Sequence, residues 1–280
     1  MTLVTRQVDG PLGRWTHTEW RPAHLAGVVE CLWYFEGALT YPRERIFPNG
    51  LMELVVHFGA PYRLVEERGT DPFTTACFGG LQPAAMVIEA PPGPGSVLGV
   101  RMRPAGAYRL LGLPLSELTG LTVDLHDLVG RAAAELLERC HGAPSAAERL
   151  RLAGEWIAGR TARSPGLDPA IAWTAAQIER REGAVSIAEL REQTGLSKAR
   201  LAATFREQIG VLPKLYARIL RFHRVVAILG ERAGSLADVA LDAGYYDQPH
   251  MNAEFRELSG FAPREFLAAT RYEQSASLAE

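Results

Sequence analysis

The chain has 280 residues, of which 47% are hydrophobic and 22% are charged, and its formal net charge at pH 7 is −2. These values are typical of a globular protein with room for two domains, and they do not indicate the basic surface of a general nucleic-acid binder. No apolar run approaches the roughly 20 residues that span a bilayer, and no secretory signal is recognisable, so we expect a cytoplasmic protein without a membrane partner.

Three isolated cysteines, Cys31, Cys77 and Cys140, include no Cys-x-x-Cys pair. Their odd number and wide spacing argue against a disulfide framework and against a zinc module. We therefore expect buried, reduced thiols, with neither a metal site nor a cofactor.

The first part of the chain, from about residue 25 to residue 103, is predicted to form strands. Its apolar segments are short and are separated by glycine, proline and asparagine. The predicted strands are VVECLWYFEG, MELVVHFG, YRLVEE, AMVIEAPPG and SVLGVRMRP. The pair Asn49-Gly50 predicts a tight turn that leads into the second of them. Several short strands at this spacing favour a small barrel or sandwich.

A curled sheet lined with aromatic side chains is a candidate pocket for a small molecule. The candidate lining residues are Trp33, Phe35, Glu53, His57, Phe78 and Arg101. Glu53 and His57 are four residues apart, so a strand would place both side chains on the same face. Packing in the core is the alternative interpretation for each aromatic residue.

Beyond residue 104 the spacing of apolar residues changes to that of helices. Two segments, LHDLVGRAAAELLERC and AAERLRLAGEWIAGR, repeat apolar residues every three or four positions. We assign them to a helical segment, 124–160, that ends an N-terminal domain of residues 1–160. As an alternative, the apolar stripes in 124–158 could pair helices of two chains. Residues 161–169 have the composition of a linker.

Residues 170–271 are predicted to be helical and contain an internal repeat. The copies that begin at Ser186 and Ser235 share a serine cap, a glycine turn, a Phe-Arg-Glu triplet and a Gly-x-x-Pro ending. Two helices joined by a short turn with glycine form a helix-turn-helix unit. The predicted segments are a first unit at 186–207, a linker helix at 213–230 and a second unit at 235–258.

The linker helix has an apolar stripe, and Arg218, Arg221 and Arg224 are expected on or near its solvent side. Such a helix would hold the two units at one fixed separation. Two recognition helices about 34 Å apart can enter successive major grooves on one face of DNA.

The repeat resembles the DNA-binding module of the AraC/XylS family of transcription regulators. The resemblance covers residues 168–270 and is carried by GLSKARLAATFREQIGVLPKLYARILRF and ALDAGYYDQPHMNAEFRELSGFAP. It implies a regulator, not an enzyme, whose partners are promoter DNA and RNA polymerase. The N-terminal half resembles, more loosely, an uncharacterised domain that precedes this module in some actinobacterial regulators. The segments that carry this second resemblance are RIFPNGLMELVVHFG, GVRMRPAGAYRLLGLPLSEL and LHDLVG.

The resemblance implies that the second helix of each unit contacts DNA. The polar residues expected to make these contacts are Lys198, Arg200, Arg206, Gln248, His250, Asn252 and Arg256. Lysine and arginine bind phosphate or guanine, and asparagine and glutamine pair with adenine. Ala199, Ala202 and Ala203 stand where many family members have larger residues, so the first unit is expected to position the protein more than to specify sequence.

The expected fold class is α+β, with a small N-terminal β-barrel or sandwich flanked by helices and a C-terminal all-α domain. We predict a sequence-specific DNA-binding regulator that responds to a small-molecule effector through its N-terminal domain, which is also a candidate for homodimerisation. Two alternatives stay open. The N-terminal domain can serve only to oligomerise, with DNA binding independent of any effector, or it can be an enzyme domain. No nucleophile elbow, metal-ligand cluster or phosphate-binding glycine loop supports the enzyme.

Overall fold

The computed structural model describes residues 1–66, 69–162, 164–231, 235–269 and 277–279. Antiparallel sheets occupy the N-terminal half and helices the C-terminal half, so the predicted α+β class is confirmed. Among the described residues, no helix is both long enough and apolar enough to pass through a bilayer.

Two sheets make up most of the N-terminal half, and the smaller one also contains a short strand from residues 277–279. The larger sheet has seven strands in the spatial order β1 (Leu3–Gly10), β2 (Gly13–Trp20), β3 (Val29–Leu39), β10 (Gly95–Met102), β5 (Met52–His57), β8 (Ala76–Gly79) and β11 (Thr122–Asp124). The smaller sheet has five strands in the order β12 (Ser277–Ala279), β4 (Arg43–Ile46), β9 (Met86–Glu89), β6 (Arg63–Glu66) and β7 (Gly69–Pro72). Residues of both sheets line the space between them.

The larger sheet begins with a hairpin, β1–β2, that lies before the predicted start of the strands near residue 25. Its register pairs Gly10 with Gly13 across a two-residue turn. Gly13 has φ +131°, and a Cβ there would lie 2.2 Å from the carbonyl oxygen of Ala38 on β3. Strand β1 is an edge strand that buries few side chains. Its apolar pattern is therefore weak, which explains why the sequence did not indicate it.

The turn predicted at Asn49-Gly50 is confirmed. Asn49 Oδ1 accepts a hydrogen bond from the backbone N–H of Leu51 at 2.9 Å, and Gly50 has φ +79°. This side-chain turn and the positive φ end the preceding loop just before β5 begins at Met52.

Four helices follow or flank the sheets: α1 (Pro104–Leu111), α2 (Leu125–Val129), α3 (Arg131–Gly142) and α4 (Ala146–Thr161). Short 3-10 helices lie at Ala23–Leu25 and Leu115–Glu117. The apolar residues of α3 and α4 belong to the chain's own core, among them Leu136, Leu150 and Ile157. The stripes in 124–158 are therefore covered within one chain, which removes them as a surface for pairing helices of two chains.

The C-terminal half contains α5 (Pro169–Arg180), α6 (Ile187–Thr194), α7 (Lys198–Ile209), α8 (Pro213–Glu231), α9 (Leu236–Asp242), α10 (Gln248–Ser259) and α11 (Pro263–Ala269). Ser186 Oγ accepts from the N–H of Glu189 at 3.3 Å, and Ser235 Oγ accepts from that of Asp238 at 3.1 Å, so both serine caps are confirmed. The pairs α6–α7 and α9–α10 are the two helix-turn-helix units, and α8 connects them.

One continuous core joins the two halves. Phe47, just after β4, packs against Phe222 of α8 and Phe266 of α11, with ring centroids 6.2 Å and 5.6 Å away. Phe255 of α10 packs against the same two rings at 5.0 Å and 5.4 Å. We call these four buried rings the Phe47 cluster. It connects the β sheets to a helix of the second helix-turn-helix unit.

Two hydrogen bonds support the same junction. Thr119 Oγ1 donates to the carbonyl oxygen of Gly210, at the end of α7, at 2.6 Å. The backbone N–H of Ala85 donates to the carbonyl oxygen of Leu258, near the end of α10, at 2.8 Å. Both helix-turn-helix units are therefore bonded to the N-terminal half near the C-terminal end of their second helix.

Phe47→Ala is expected to destabilise the protein, because the ring is only 2% exposed and its loss leaves a cavity between the two halves. Truncation of a buried phenylalanine costs about 3 kcal/mol or more. Urea unfolding followed by tryptophan fluorescence measures the change. Leu212→Ala, at a position that is 48% exposed, is the control and should change the free energy of unfolding by less than about 0.5 kcal/mol. An equally small effect of both variants would contradict a structural role of the Phe47 cluster.

Candidate nucleic-acid interface and ligand cavity

Helix α7 of the first unit presents a basic surface. Ser197 Oγ caps it by accepting from the N–H of Arg200 at 3.2 Å, while Leu201 and Phe205 are buried on its inner face. Three basic residues are exposed on the outer face: Lys198, Arg200 and Arg206. None of the three forms an ion pair with another described residue, so their charges are available to an anionic partner.

The alanines of α7 lie on the same outer surface. Ala199 and Ala203 are exposed and Ala202 is half-buried. A methyl group offers a base edge only an apolar contact, chiefly with the methyl group of thymine. The cations around these alanines therefore dominate what this helix can offer to DNA.

Helix α10 of the second unit starts at a cap formed by Asp247. Its Oδ1 accepts from the N–H of His250 at 2.8 Å, and Pro249 lies in the first turn. Arg256 is exposed, whereas Gln248 and Asn252 are half-buried. Among the described residues, Asn252 Oδ1 is buried without a hydrogen-bond partner.

His250 has protein neighbours that the sequence did not indicate. Its ring stands edge-on to that of Tyr245 with 5.4 Å between centroids, and its Nε2 lies 3.4 Å from Glu254 Oε1. The side chain is 48% exposed. One edge of the imidazole therefore faces Glu254, and only the rest is open to solvent.

Tyr246 is a surface residue that the sequence analysis did not include among the DNA contacts. It is 90% exposed and lies directly before the cap of α10, whereas Tyr245 is 4% exposed. The signal in the sequence was the adjacent pair of tyrosines in a tight turn, of which only one can face the core.

A buried ion cluster holds α10 on α8. Glu254 lies 2.9 Å from Arg218 Nε and 3.2 Å from Arg221 Nη2, and the Arg221 guanidinium lies 5.0 Å from the centre of the Tyr245 ring. The arginine side chains are only 18% and 16% exposed. The expected solvent position of Arg218 and Arg221 is therefore wrong, because α10 packs over that side of α8. Arg224 is half-buried.

The charges of this cluster determine the protonation of Glu254. Burial alone would raise its pKa, but the positive charges of Arg221 and Arg218 outweigh that effect and hold the pKa below its usual value. Glu254 is therefore ionised at neutral pH and balances two guanidinium groups.

A cavity of about 310 Å³ lies between the two sheets of the N-terminal half. Most of its wall is aromatic or aliphatic. Five of the six predicted lining residues border it: Trp33, Phe35, Glu53, His57 and Arg101. The strand register explains this, because β10 pairs with β3 on one side and with β5 on the other, and the cavity-facing positions of the three strands alternate in step.

Phe78 does not line the cavity. Its side chain is fully buried in the core, whereas its neighbours Cys77 and Gly79 on β8 border the cavity. Side chains alternate between the two faces of a strand. The prediction for Phe78 is therefore wrong by one position. Strand β8 was not recognised in the sequence, so the side chains that point from it into the cavity could not be assigned.

Two cavity residues were missed because the first hairpin was missed. Trp15 and His17 of β2 line the cavity, and His17 stacks on Trp33 with 6.0 Å between ring centroids. Burial and the nearby charge of Arg101 lower the pKa of His17. The alternation of aromatic and polar residues in GRWTHTEW was the available signal.

The polar groups of the cavity are fixed by hydrogen bonds. Trp33 Nε1 donates to Glu53 Oε1 at 2.9 Å, and Arg101 Nε lies 3.7 Å from the same oxygen. His57 Nδ1 donates to the carbonyl oxygen of Thr74 at 3.2 Å. Burial lowers the pKa of His57, so its ring is neutral at pH 7. One ion pair is therefore the main charged feature of this part of the wall.

The loop from Phe47 to Leu51 separates the cavity from the helical half. Phe47, Pro48, Asn49 and Leu51 line the cavity. On the opposite side, a Cβ on Gly50 would lie 2.6 Å from Leu220 of α8. A single loop therefore contacts the cavity and the connecting helix.

The cysteines are free and buried, as predicted. Burial raises the pKa of Cys77 to about 12 and those of Cys31 and Cys140 to about 11. Such thiols stay protonated at neutral pH, which is unfavourable for a nucleophile.

Comparisons with known proteins match two separate parts of the chain to two family models. Residues 190–269 match the model of a helix-turn-helix domain, and residues 20–124 match a domain of unknown function (DUF6597). A comparison with curated proteins finds no match to this chain.

Several solved structures are similar at low identity. ToxT from Vibrio cholerae has 9% identity and a TM-score of 0.48, over 85% of this chain and 97% of that chain. The C-terminal domain of AraT, a response regulator from Geobacillus stearothermophilus, has 14% identity and a TM-score of 0.36, over 39% of this chain and 91% of that chain. The AraC-like transcriptional activator CuxR has 16% identity and a TM-score of 0.31, over 78% of this chain and 85% of that chain. Likenesses at this level carry no argument about function.

Glu254→Gln is expected to lower the free energy of unfolding by about 2–3 kcal/mol at neutral pH, because two poorly exposed arginines lose their negative partner. The folded-state pKa of Glu254 is lowered, so the stabilisation is present at neutral pH and is lost as the pH falls below about 4.5. Urea unfolding is measured at a series of pH values from about 6 to about 4. The difference in the free energy of unfolding between wild type and variant should become smaller as the pH falls.

Glu257→Gln is the matched control for this prediction. Glu257 also contacts Arg218, but its side chain is 64% exposed. Exposed ion pairs contribute less than about 1 kcal/mol. A loss that is equal in both variants, or one that does not change with pH, would show that Glu254 does not balance the buried arginines.

Proposed function

We propose that this chain is a transcription regulator of the AraC type that binds promoter DNA through α7 and α10. The match of residues 190–269 to a helix-turn-helix domain supports this proposal. We further propose that a small molecule in the cavity between the sheets controls this binding. The regulator acts on transcription by recruiting or blocking RNA polymerase.

The observation that carries the proposal is the pair of helix-turn-helix units on one connecting helix. Helix α8 has 19 residues, which corresponds to about 28 Å at 1.5 Å per residue. Recognition helices held at such a separation suit two successive major grooves, whose spacing is about 34 Å. The buried ion cluster and the Phe47 cluster fix α10 on α8, which supports a fixed separation of the two units.

We assign different DNA contacts to the two helix-turn-helix units. Lys198, Arg200 and Arg206 of α7 are exposed and unpaired within the described chain, so we assign them to phosphates or guanine. In the second unit Arg256 is assigned to phosphate or guanine, and Gln248 and Asn252 to base edges.

Two further residues of the second unit complete the assignment. We assign His250, whose side chain is 48% exposed, and Tyr246, which is 90% exposed, to hydrogen bonds with the backbone of the duplex. The second unit thus supplies most of the groups that distinguish bases.

The position of the cavity supports the proposal that a ligand controls DNA binding. A ligand there contacts Phe47 and the loop that follows it, and this loop packs on α8 and, through the Phe47 cluster, on α10. Ligand binding changes DNA affinity only if the ligand prefers one of two arrangements of this junction. The alternative of an N-terminal domain that only oligomerises receives less support, because the stripes of α3 and α4 are already covered. Homodimerisation through another surface is compatible with the proposal.

The first test is selection of DNA sequences from a random library by the full-length protein at one stated salt concentration. We expect a motif with two half-sites about one helical turn, or 10 base pairs, apart. Recovery of no motif, both with and without compounds that bind the cavity, would argue against the proposed function.

Arg200→Ala and Arg256→Ala are each expected to weaken binding to the selected site by about 1–3 kcal/mol, measured by fluorescence anisotropy. Because the chain is nearly neutral, the salt dependence of the wild type should correspond to fewer than about ten phosphates. Arg14→Ala is the control, since this exposed arginine pairs with Asp9 in the first hairpin. An equal loss in the control would point to a general charge effect instead of contacts made by the recognition helices.

A further inference from the structure

We infer that the cavity binds a planar, uncharged heteroaromatic molecule that carries a hydrogen-bond donor next to an acceptor on one edge. The inference rests on the proposed function, which makes the cavity the ligand site, and it specifies the chemical class of the ligand. Three features of the wall support it: a flat indole surface, an apolar opposite side and an ion pair with unused hydrogen-bonding groups.

The flat surface is the indole of Trp33. A Cβ on Gly99 would lie 2.1 Å from Trp33 Cε2, so the ring lies directly on the glycine backbone of β10. Its Nε1 is bound to Glu53 at 2.9 Å, and the ring of His17 stacks beside it at an angle of 21°. A ring that rests on the glycine backbone and is hydrogen-bonded at its edge keeps one orientation. Trp33 lines the cavity, so the part of its surface that Gly99 and His17 leave uncovered suits stacking of a ligand ring.

The opposite side of the cavity comes from the smaller sheet. Ile46 of β4 together with Met86 and Ile88 of β9 contribute apolar side chains to the wall. A flat molecule between these residues and the indole contacts apolar surface on both faces. The volume of about 310 Å³ is at the lower end of the range for ligand sites, roughly 300–1,000 Å³, and therefore favours a small ring system.

The polar edge is formed by Glu53 and Arg101, which are direct partners in the register of β5 and β10. Glu53 Oε1 is engaged by Trp33, and Arg101 Nε lies 3.7 Å from it. Within the described chain, Glu53 Oε2 and the two terminal amino groups of Arg101 form no hydrogen bond. An acceptor therefore stands next to donors at one end of the indole. A ligand edge with an N–H beside a C=O complements both groups.

The same pair selects against charge. A ligand anion would be attracted by Arg101 but repelled by Glu53. A ligand cation would be attracted by Glu53 but repelled by Arg101. The two charges compensate each other at this edge, so a neutral group that donates to one and accepts from the other is favoured over either ion. Both side chains are about one-third exposed, 36% for Glu53 and 34% for Arg101, and a bound ligand that covers one of them without a hydrogen bond leaves a charged group unsatisfied, which lowers affinity.

The probe for this inference is quinolin-2(1H)-one, a flat bicyclic lactam with adjacent N–H and C=O groups. Binding to the full-length protein is measured by tryptophan fluorescence and by isothermal titration. 1-Methylquinolin-2-one lacks the donor, and naphthalene-2-carboxylate replaces the lactam by an anion. We expect the lactam to bind at least about tenfold more tightly than either, because each of them leaves a charged wall group unsatisfied.

Glu53→Gln keeps an oxygen for Trp33 Nε1 and replaces the acceptor Oε2 by a donor. It should weaken binding of the lactam at least about tenfold and leave binding of the methylated compound unchanged. Arg101→Met should weaken both compounds, since both use the carbonyl oxygen. Glu36→Gln, an exposed position on the same strand as Trp33, is the matched control and should change nothing. Equal melting temperatures establish that the variants fold.

Absence of lactam binding to the wild type, equal affinity for the methylated compound, or tighter binding of the carboxylate would overturn the inference. So would an unchanged lactam affinity in Glu53→Gln. None of these results affects DNA selection by the recognition helices. The DNA selection therefore tests the proposed function, and the binding of the lactam tests the ligand class separately.

Discussion

The packing of Phe47 between the sheets and the helices is the contact on which the rest of the structure depends. Its ring touches the cavity on one side and the rings of Phe222 and Phe266 on the other. Further contacts join the β-rich half to the helical half: Gly50 with Leu220, Arg103 with Glu179, Thr119 with Gly210 and Ala85 with Leu258. One hydrophobic core extends from the cavity between the sheets to α10.

Two kinds of interaction hold the second helix-turn-helix unit in place. Helix α10 combines the aromatic packing with the buried ion cluster of Glu254 and two arginines of α8. A buried cluster of charges favours one arrangement of its partners, because any other arrangement leaves a charge without compensation. The first unit has a simpler outer face of alanines and free cations. The two units therefore differ in the polar groups on their outer faces, which is the difference on which the proposed division of roles rests.

Local signals in the sequence were enough to predict most of the helical half. The repeated serine caps and glycine turns, together with the spacing of apolar residues, each act within a few residues, so no knowledge of the tertiary structure was needed. The β-rich half was less accessible. The hairpin β1–β2 has a weak apolar pattern because β1 is an edge strand, and without this hairpin the prediction missed His17. The short strand β8 pairs with β5 and β11, which are distant along the chain, and without it Phe78 was misplaced.

The interaction of Glu254 with Arg218 and Arg221 was equally invisible, since it forms only when α10 crosses α8. The predicted residues that do border the cavity lie on β3, β5 and β10, which are the strands that the sequence predicted. Charged residues on helices are the hardest to assign from the sequence. The apolar stripe of one helix shows which face is polar, but it does not show whether a second helix packs over that face.

The loop from Phe47 to Leu51 has a consequence for how such a protein can change over time. Substitutions in this loop alter the shape of the cavity and the packing of α8 together. Under the proposed function, ligand preference and promoter response therefore cannot change independently there. The opposite end of the cavity is free of that restriction, because the hairpin that carries Trp15 and His17 lies at the edge of the larger sheet. New ligand preferences are therefore most accessible through the hairpin, and new regulatory behaviour through the loop.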